Sequence, residues 1–166
     1  FIGSHLVETL LNYDHNVIPM IKYSSNINFG KLDEIIKSGK LDQENIVIGD
    51  ITDRSFVRDI VKNVDAVFNL AALIGIPYSY KSPGSYVSTN IIGTMNFLEE
   101  IKFTNKILVQ TSTSEVYGTA QYVPIDELHP KVGQSPYSAT KIACDELALS
   151  YEKSFDSDVR ILRPFN

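Results

Sequence analysis

The sequence predicts an α/β protein, a Rossmann-like doubly wound parallel sheet, on three observations. Short aliphatic and β-branched runs alternate with stretches whose apolar residues recur at helical spacing, which is the mark of βαβ units. Several of the short runs end in small or polar residues, at Gly49-Asp50, Asn69-Leu70-Ala71-Ala72 and Thr111 to Glu115. That is where an open parallel sheet places its ligands. No repeat, low-complexity segment or internal boundary interrupts the 166 residues. Residues 1–166 are therefore read as one domain, long enough for a sizeable core.

In order along the chain, Gly3 to Asn12 carries Leu6, Val7, Leu10 and Leu11 at helical spacing. Asn16 to Ile21 reads as a buried strand, with Pro19 poorly suited to it. Ser24 to Gly30 is loop-like, and a short helix over Lys31 to Ser38 stops at Gly39. Ile46 to Ile48 is a strand. Asp53 is placed to cap a helix running to about Lys62. Ala66 to Leu70 is the next strand, and a loop spans Ala71 to Ser82. One long helix is expected from Pro83 to Lys102, then a strand from Lys106 to Thr111. The loop Ser112 to Ser135 precedes a helix that Pro136 opens and that runs to about Phe155. Val159 to Leu162 is the last strand. The chain opens at Phe1 directly on a helix and closes at Asn166 directly after a strand, so the fold is expected to be truncated at both ends.

Composition narrows the function. Hydrophobic residues make up 43% and charged residues 21%, as in globular proteins generally. The net charge is −5 and the basic residues form no run, which argues against a nucleic-acid surface. No apolar stretch approaches the ~20 residues that cross a bilayer, so no membrane association is expected. The single cysteine, Cys144, excludes an internal disulfide and a Cys-based zinc site, and fits a cytoplasmic protein. His5, His15 and His129 are scattered and suggest no metal site. Cys144 itself reads as packing.

The residues just after the strands carry the chemistry. Gly3, at the start of a helix, suits a backbone that approaches a pyrophosphate, although a packing glycine reads the same way. Asp50 fits an acceptor for an adenine amino group or the start of a turn. The small residues after Asn69 would let a flat ligand lie on the backbone, or simply pack. Thr111 to Glu115 sets four hydroxyls and a carboxylate at a strand end, either as a solvated loop or with Glu115 as a general base. Tyr137 and Lys141 are four apart and share a helix face. A phenol with a pKa near ~10 is a poor base at neutral pH, and a neighbouring ammonium makes its phenolate more accessible. An exposed Tyr–Lys helix pair has the same spacing.

Seven segments in order resemble the extended short-chain dehydrogenase/reductase family: F-I-G-S-H-L at the start, G-D-I at Gly49 to Ile51, N-L-A-A at Asn69 to Ala72, T-N-x-x-G-T at Thr89 to Thr94, T-S-T-S-E-V-Y-G at Thr111 to Gly118, S-P-Y-S-A-T-K at Ser135 to Lys141, and R-P-F-N at Arg163 to Asn166. Within it, Thr113-Ser114-Glu115 is similar to the segment of the nucleotide-sugar 4,6-dehydratases of the GDP-mannose or UDP-N-acetylglucosamine type.

The resemblance implies a catalytic set of Thr113, Ser114, Glu115, Tyr137 and Lys141. It implies dinucleotide contacts from Phe1, Ile2, Gly3, Lys22, Asp50, Ile51, Leu70, Ala71, Ala72, Asn90, Thr111, Tyr137, Lys141 and Pro164, and substrate contacts from Thr113, Tyr137 and Asn166. Tyr137 would take the proton of the sugar's carbon-4 hydroxyl as hydride passes to the nicotinamide. Glu115 would remove the carbon-5 proton, water would leave from carbon 6, and the hydride would return there. The cofactor is NAD or NADP: an acidic residue usual after the second strand is replaced by Ile21-Lys22-Tyr23-Ser24, and Lys22 suits a 2′-phosphate. The family's first strand and its carboxy-terminal substrate domain have no counterpart in these residues. A homodimer is implied through helices at Tyr86 to Lys102 and Ser135 to Phe155. A 4-epimerase is the alternative activity, and a non-catalytic dinucleotide-binding redox sensor the remote one.

Overall fold

A computed structural model describes residues 1–24 and 29–165. Asn166 and most of the loop expected at Ser24 to Gly30 lie outside the described residues. The chain divides into two compact units, Phe1–Asp50 and Ile51–Asn166.

In the first unit, helix α1 (Ile2–Asn12), strand β1 (Met20–Lys22), helix α2 (Leu32–Lys37) and strand β2 (Val47–Gly49) follow in order. β1 and β2 pair in parallel, from Met20 opposite Val47 to Lys22 opposite Gly49. The first strand begins at Met20 rather than at Asn16. Pro19 has no amide to donate and contributes only its carbonyl, which accepts from Val47 N at 2.9 Å. Val7, Leu32, Ile35, Leu41 and Ile46 form this unit's buried core, with Leu11, Val17 and Ile21 packed against it. Gly39 takes φ +73° just after α2, a left-handed residue that ends a helix with little steric cost.

In the second unit, Asp53 caps α3 (Arg54–Val61), its carboxylate accepting from Ser55 N and Phe56 N. Strands β3 (Ala66–Asn69), β4 (Ile107–Thr111) and β5 (Asp158–Leu162) form a parallel sheet in the order β3-β4-β5. Its register runs from Ala66 opposite Ile107 and Asp158 opposite Ile107 to Thr111 opposite Leu162. The central strand is the most buried, with Leu108, Val109 and Gln110 all inside. The chain is thus built of Rossmann-like parallel sheets with helices. Among the described residues the strands pair as two parallel sheets, β1-β2 and β3-β4-β5.

Two further expectations are refined. The loop Ala71 to Ser82 contains a one-turn helix, α4 (Ile76–Ser79). The helix expected over Pro83 to Lys102 is three segments: α5 (Pro83–Tyr86), a π-helical stretch over Val87–Ile92, and α6 (Gly93–Ile101). Helix α7 (Pro136–Phe155) matches its expected bounds. Ser135 caps it reciprocally with Ser138, Pro136 fills the first turn, and Asp156 closes it in the left-handed region. Among the described residues no helix is long and apolar enough to cross a membrane.

Candidate active site

The site of the second unit is built on one face of α7. Tyr137, Lys141 and Asp145 recur every fourth residue, and all three are buried. Facing them is the turn after β4. Thr113 starts a single 3-10 turn over Ser114–Val116, and its hydroxyl accepts from Glu115 N at 3.2 Å. The Thr113 hydroxyl is close enough to the Tyr137 phenol to act on its proton. Glu115 is exposed at the head of this turn, and near enough for its charge to act on Tyr137. Threonine, glutamate and tyrosine, from two segments two dozen residues apart, are therefore brought to the same neighbourhood.

Burial pushes the Tyr137 phenol above its ordinary value. The nearby Thr113 hydroxyl opposes this, and the charges of Glu115, Tyr86 and Cys144 reinforce it. Burial likewise holds the Lys141 ammonium below its ordinary value, against the pull of Cys144 and Asp145. Lys141 Nζ donates to the Thr111 carbonyl. An ammonium has three donors, so this bond fixes the lysine at the strand end and engages one of them. The expected lowering of Tyr137 by its lysine is not what the structure displays: in this arrangement the phenol keeps its proton tightly. Tyr86, not singled out in the sequence, stands edge-on to Tyr137 at 6.4 Å between ring centres and donates to Gly75 O at 2.6 Å.

Two residues expected at the dinucleotide are buried. Asn90, in the π-helical stretch, is almost wholly buried. Its amide oxygen accepts from Leu73 N at 2.8 Å, and its amide nitrogen donates to Leu73 O and Thr140 Oγ1. It thus pins the backbone after Ala72 to α7. Ile51 packs where Gly93 leaves room, since a Cβ on Gly93 would come 2.3 Å from Ile51 Cδ1. The Ile51 carbonyl accepts from Asn96 Nδ2 at 2.8 Å.

The other expected residues lie at strand ends or a helix start. Leu70, Ala71 and Ala72 follow β3, with Ala71 exposed. Pro164 follows β5, and its carbonyl accepts from Ser114 N at 3.2 Å. In the first unit, Phe1 and Ile2 are exposed at the start of α1, and no atom lies within 4 Å of where a Gly3 Cβ would be. Packing within the described chain therefore does not demand this glycine. Lys22 and Asp50, at the ends of β1 and β2, form an ion pair at 3.0 Å. Cys144 is fully buried, donating to Asn90 O and accepting from Thr94 Oγ1, in keeping with a packing role. Among the described residues no group of three or more His, Cys, Asp or Glu is placed to hold a metal ion.

A family model described as GDP-mannose 4,6 dehydratase matches residues 1–166. The chain belongs to this family, within the extended short-chain dehydrogenases/reductases. It is 34% identical to a GDP-mannose 4,6-dehydratase of Vibrio cholerae serotype O1 over 161 residues, 92% of this chain and 43% of that protein. Among solved structures it is similar to a double mutant of the dTDP-glucose 4,6-dehydratase DesIV from Streptomyces venezuelae with NAD bound. There the TM-score is 0.82 at 27% identity, covering 98% of this chain and 52% of that one. A UDP-glucuronic acid 4-epimerase from Bacillus cereus, in complex with UDP-glucuronic acid and NAD, is as close in fold. Its TM-score is 0.82 at 30% identity, with 98% and 52% covered. The chain spans about half the length of the curated relatives it matches.

Proposed function

We propose that this chain is the dinucleotide-binding part of a nucleotide-sugar 4,6-dehydratase. The observation that carries the reading is Glu115 at the head of the turn that Thr113 opens, near enough for its charge to act on the Tyr137 phenol. In this reading a carboxylate accompanies a phenol that handles a hydroxyl proton. An oxidation that is simply reversed needs the phenol; an elimination needs a second base for a carbon acid.

Within the second unit the strand ends fit a dinucleotide: Ala71 is exposed after β3, and Lys141 is fixed beside Thr111. Within the first unit, Gly3 leaves the start of α1 open. When bound, the dinucleotide supplies the hydride acceptor for oxidation at carbon 4 and the hydride donor for reduction at carbon 6. Its positive charge would add to that of Lys141 and offset the burial that now holds the Tyr137 proton. Tyr137 then takes the proton of the carbon-4 hydroxyl, with Thr113 hydrogen-bonded to the same oxygen. The ketone acidifies carbon 5, and Glu115 removes that proton. The departing carbon-6 hydroxyl takes a proton from Glu115, since the neighbouring Ser114 is a poor acid, and leaves as water. The cofactor is NAD or NADP: the exposed Lys22–Asp50 pair is easily exchanged, so Lys22 is available to a 2′-phosphate.

The decisive variant is Glu115→Gln in the full-length protein, assayed with GDP-mannose, dTDP-glucose and UDP-N-acetylglucosamine. The wild type is expected to convert one of them to a product lighter by one water, and the variant to make none of it. An unchanged yield from the variant would remove Glu115 from the reaction. A wild-type product of unchanged mass but inverted carbon 4 would establish the epimerase reading instead. That alternative is supported by the epimerases among the chain's structural neighbours.

A further inference from the structure

The proposed chemistry uses Tyr137 and Lys141 but gives no task to Asp145, the third member of the same buried face. A carboxylate with no exposed surface is costly unless it is compensated. Compensation comes from beyond β5: Arg163 Nε donates to Asp145 Oδ2 at 2.9 Å, while Oδ1 has no partner among the described residues. The same guanidinium donates through Nη1 to the Tyr117 hydroxyl at 2.9 Å and lies 5.4 Å from the centre of that ring.

Tyr117 closes the 3-10 turn that Thr113 opens. It is 2% exposed, with Phe165 stacked on it at 6.0 Å and His129 edge-on at 5.5 Å. The backbone is sewn along the same seam, Ser112 N donating to Leu162 O at 2.7 Å and Ser114 N to Pro164 O. One fork-shaped side chain thus joins three segments: the helix face bearing Tyr137, the turn bearing Glu115, and the end of β5. A lysine would satisfy Asp145 but has no second arm in fixed geometry for Tyr117.

We propose that Arg163, seated on Asp145, is the positioning residue that sets the Thr113–Glu115 turn against the Tyr137 face of α7. The identity of the affected step rests on the dehydratase reading; the positioning itself does not. A misplacement of about 1 Å at a reacting group costs on the order of a hundredfold in rate. A tether that moves Glu115 without moving Tyr137 therefore separates the two proton transfers.

The test uses the full-length protein as wild type, Arg163→Lys and Tyr117→Phe, with two readouts. Amide hydrogen exchange is followed at Glu115 and Tyr117 and, as a control, along α7. Formation of reduced nicotinamide is compared with incorporation of solvent hydrogen at carbon 5. Both variants are expected to exchange faster in the turn with α7 protection unchanged. Carbon-5 incorporation should fall by about tenfold or more, and oxidation by less than about threefold. Unchanged exchange in the turn, or equal losses in both half-reactions, would overturn the proposal. If the wild type releases no water from any nucleotide sugar, the dehydratase reading fails, and the exchange result alone decides the positioning.

Discussion

Two ion pairs in this chain have nearly the same length and opposite surroundings. Lys22 and Asp50 meet at 3.0 Å with side chains 66% and 34% exposed. Arg163 and Asp145 meet at 2.9 Å with side chains 13% and 0% exposed. Distance alone would rank them together. The first pair is formed in water and screened by salt, and each partner has solvent as a ready substitute. The second has lost its solvation, so neither partner survives cheaply without the other. A contact of the first kind is easily exchanged for a ligand. One of the second kind fixes the framework against which a ligand is read.

The comparison is broken most severely by Asp145→Ala, which strands a buried guanidinium. We expect a loss of about 3–5 kcal/mol, read as a lower urea midpoint of the full-length protein. Replacing both partners, as Asp145→Leu with Arg163→Met, should be neutral to stabilising by about 1–4 kcal/mol. The same double variant should still show fast amide exchange at Glu115. Stability and positioning would then move in opposite directions. Lys131 and Glu146, 18% and 61% exposed, fall between the extremes, and Lys131→Ala is expected to cost about 1 kcal/mol or less. Lys22→Ala should cost less than about 0.5 kcal/mol, and raising the salt to about 1 M should abolish even that. Its effect belongs to binding: by calorimetry, NADP affinity should fall more than NAD affinity.

Much of the fold was legible because its signals are local. Asp53, Gly39 and the Ser135-Pro136 start of α7 each act on backbone groups within a few residues of themselves, and their elements fall where expected. The π-helical stretch was not legible, since Val87 to Ile92 reads as ordinary helix and the partners of its Asn90, Leu73 and Thr140, lie far away in sequence. In the candidate site, Tyr137 and Lys141 were singled out by their spacing, and Glu115 by its place after a strand. Asp145 continues the same four-residue period, a signal that was available and unused. Arg163 was visible only as a letter in R-P-F-N, because its partners lie 18 and 46 residues away in sequence.

The π-helical stretch also bears on how this chain tolerates changes in length. Such a stretch holds one residue more than the α-helix it interrupts. Removing a single residue between Val87 and Ile92 would restore ordinary helical bonding, so the backbone itself would accept the shortening. The segments on either side would keep their phase, because the extra residue is confined to the widened turn. The residues inside it would not, and Asn90 would leave Leu73. A deletion benign to the helix would thus be ruinous to the site, whereas exposed loops take insertions and deletions cheaply.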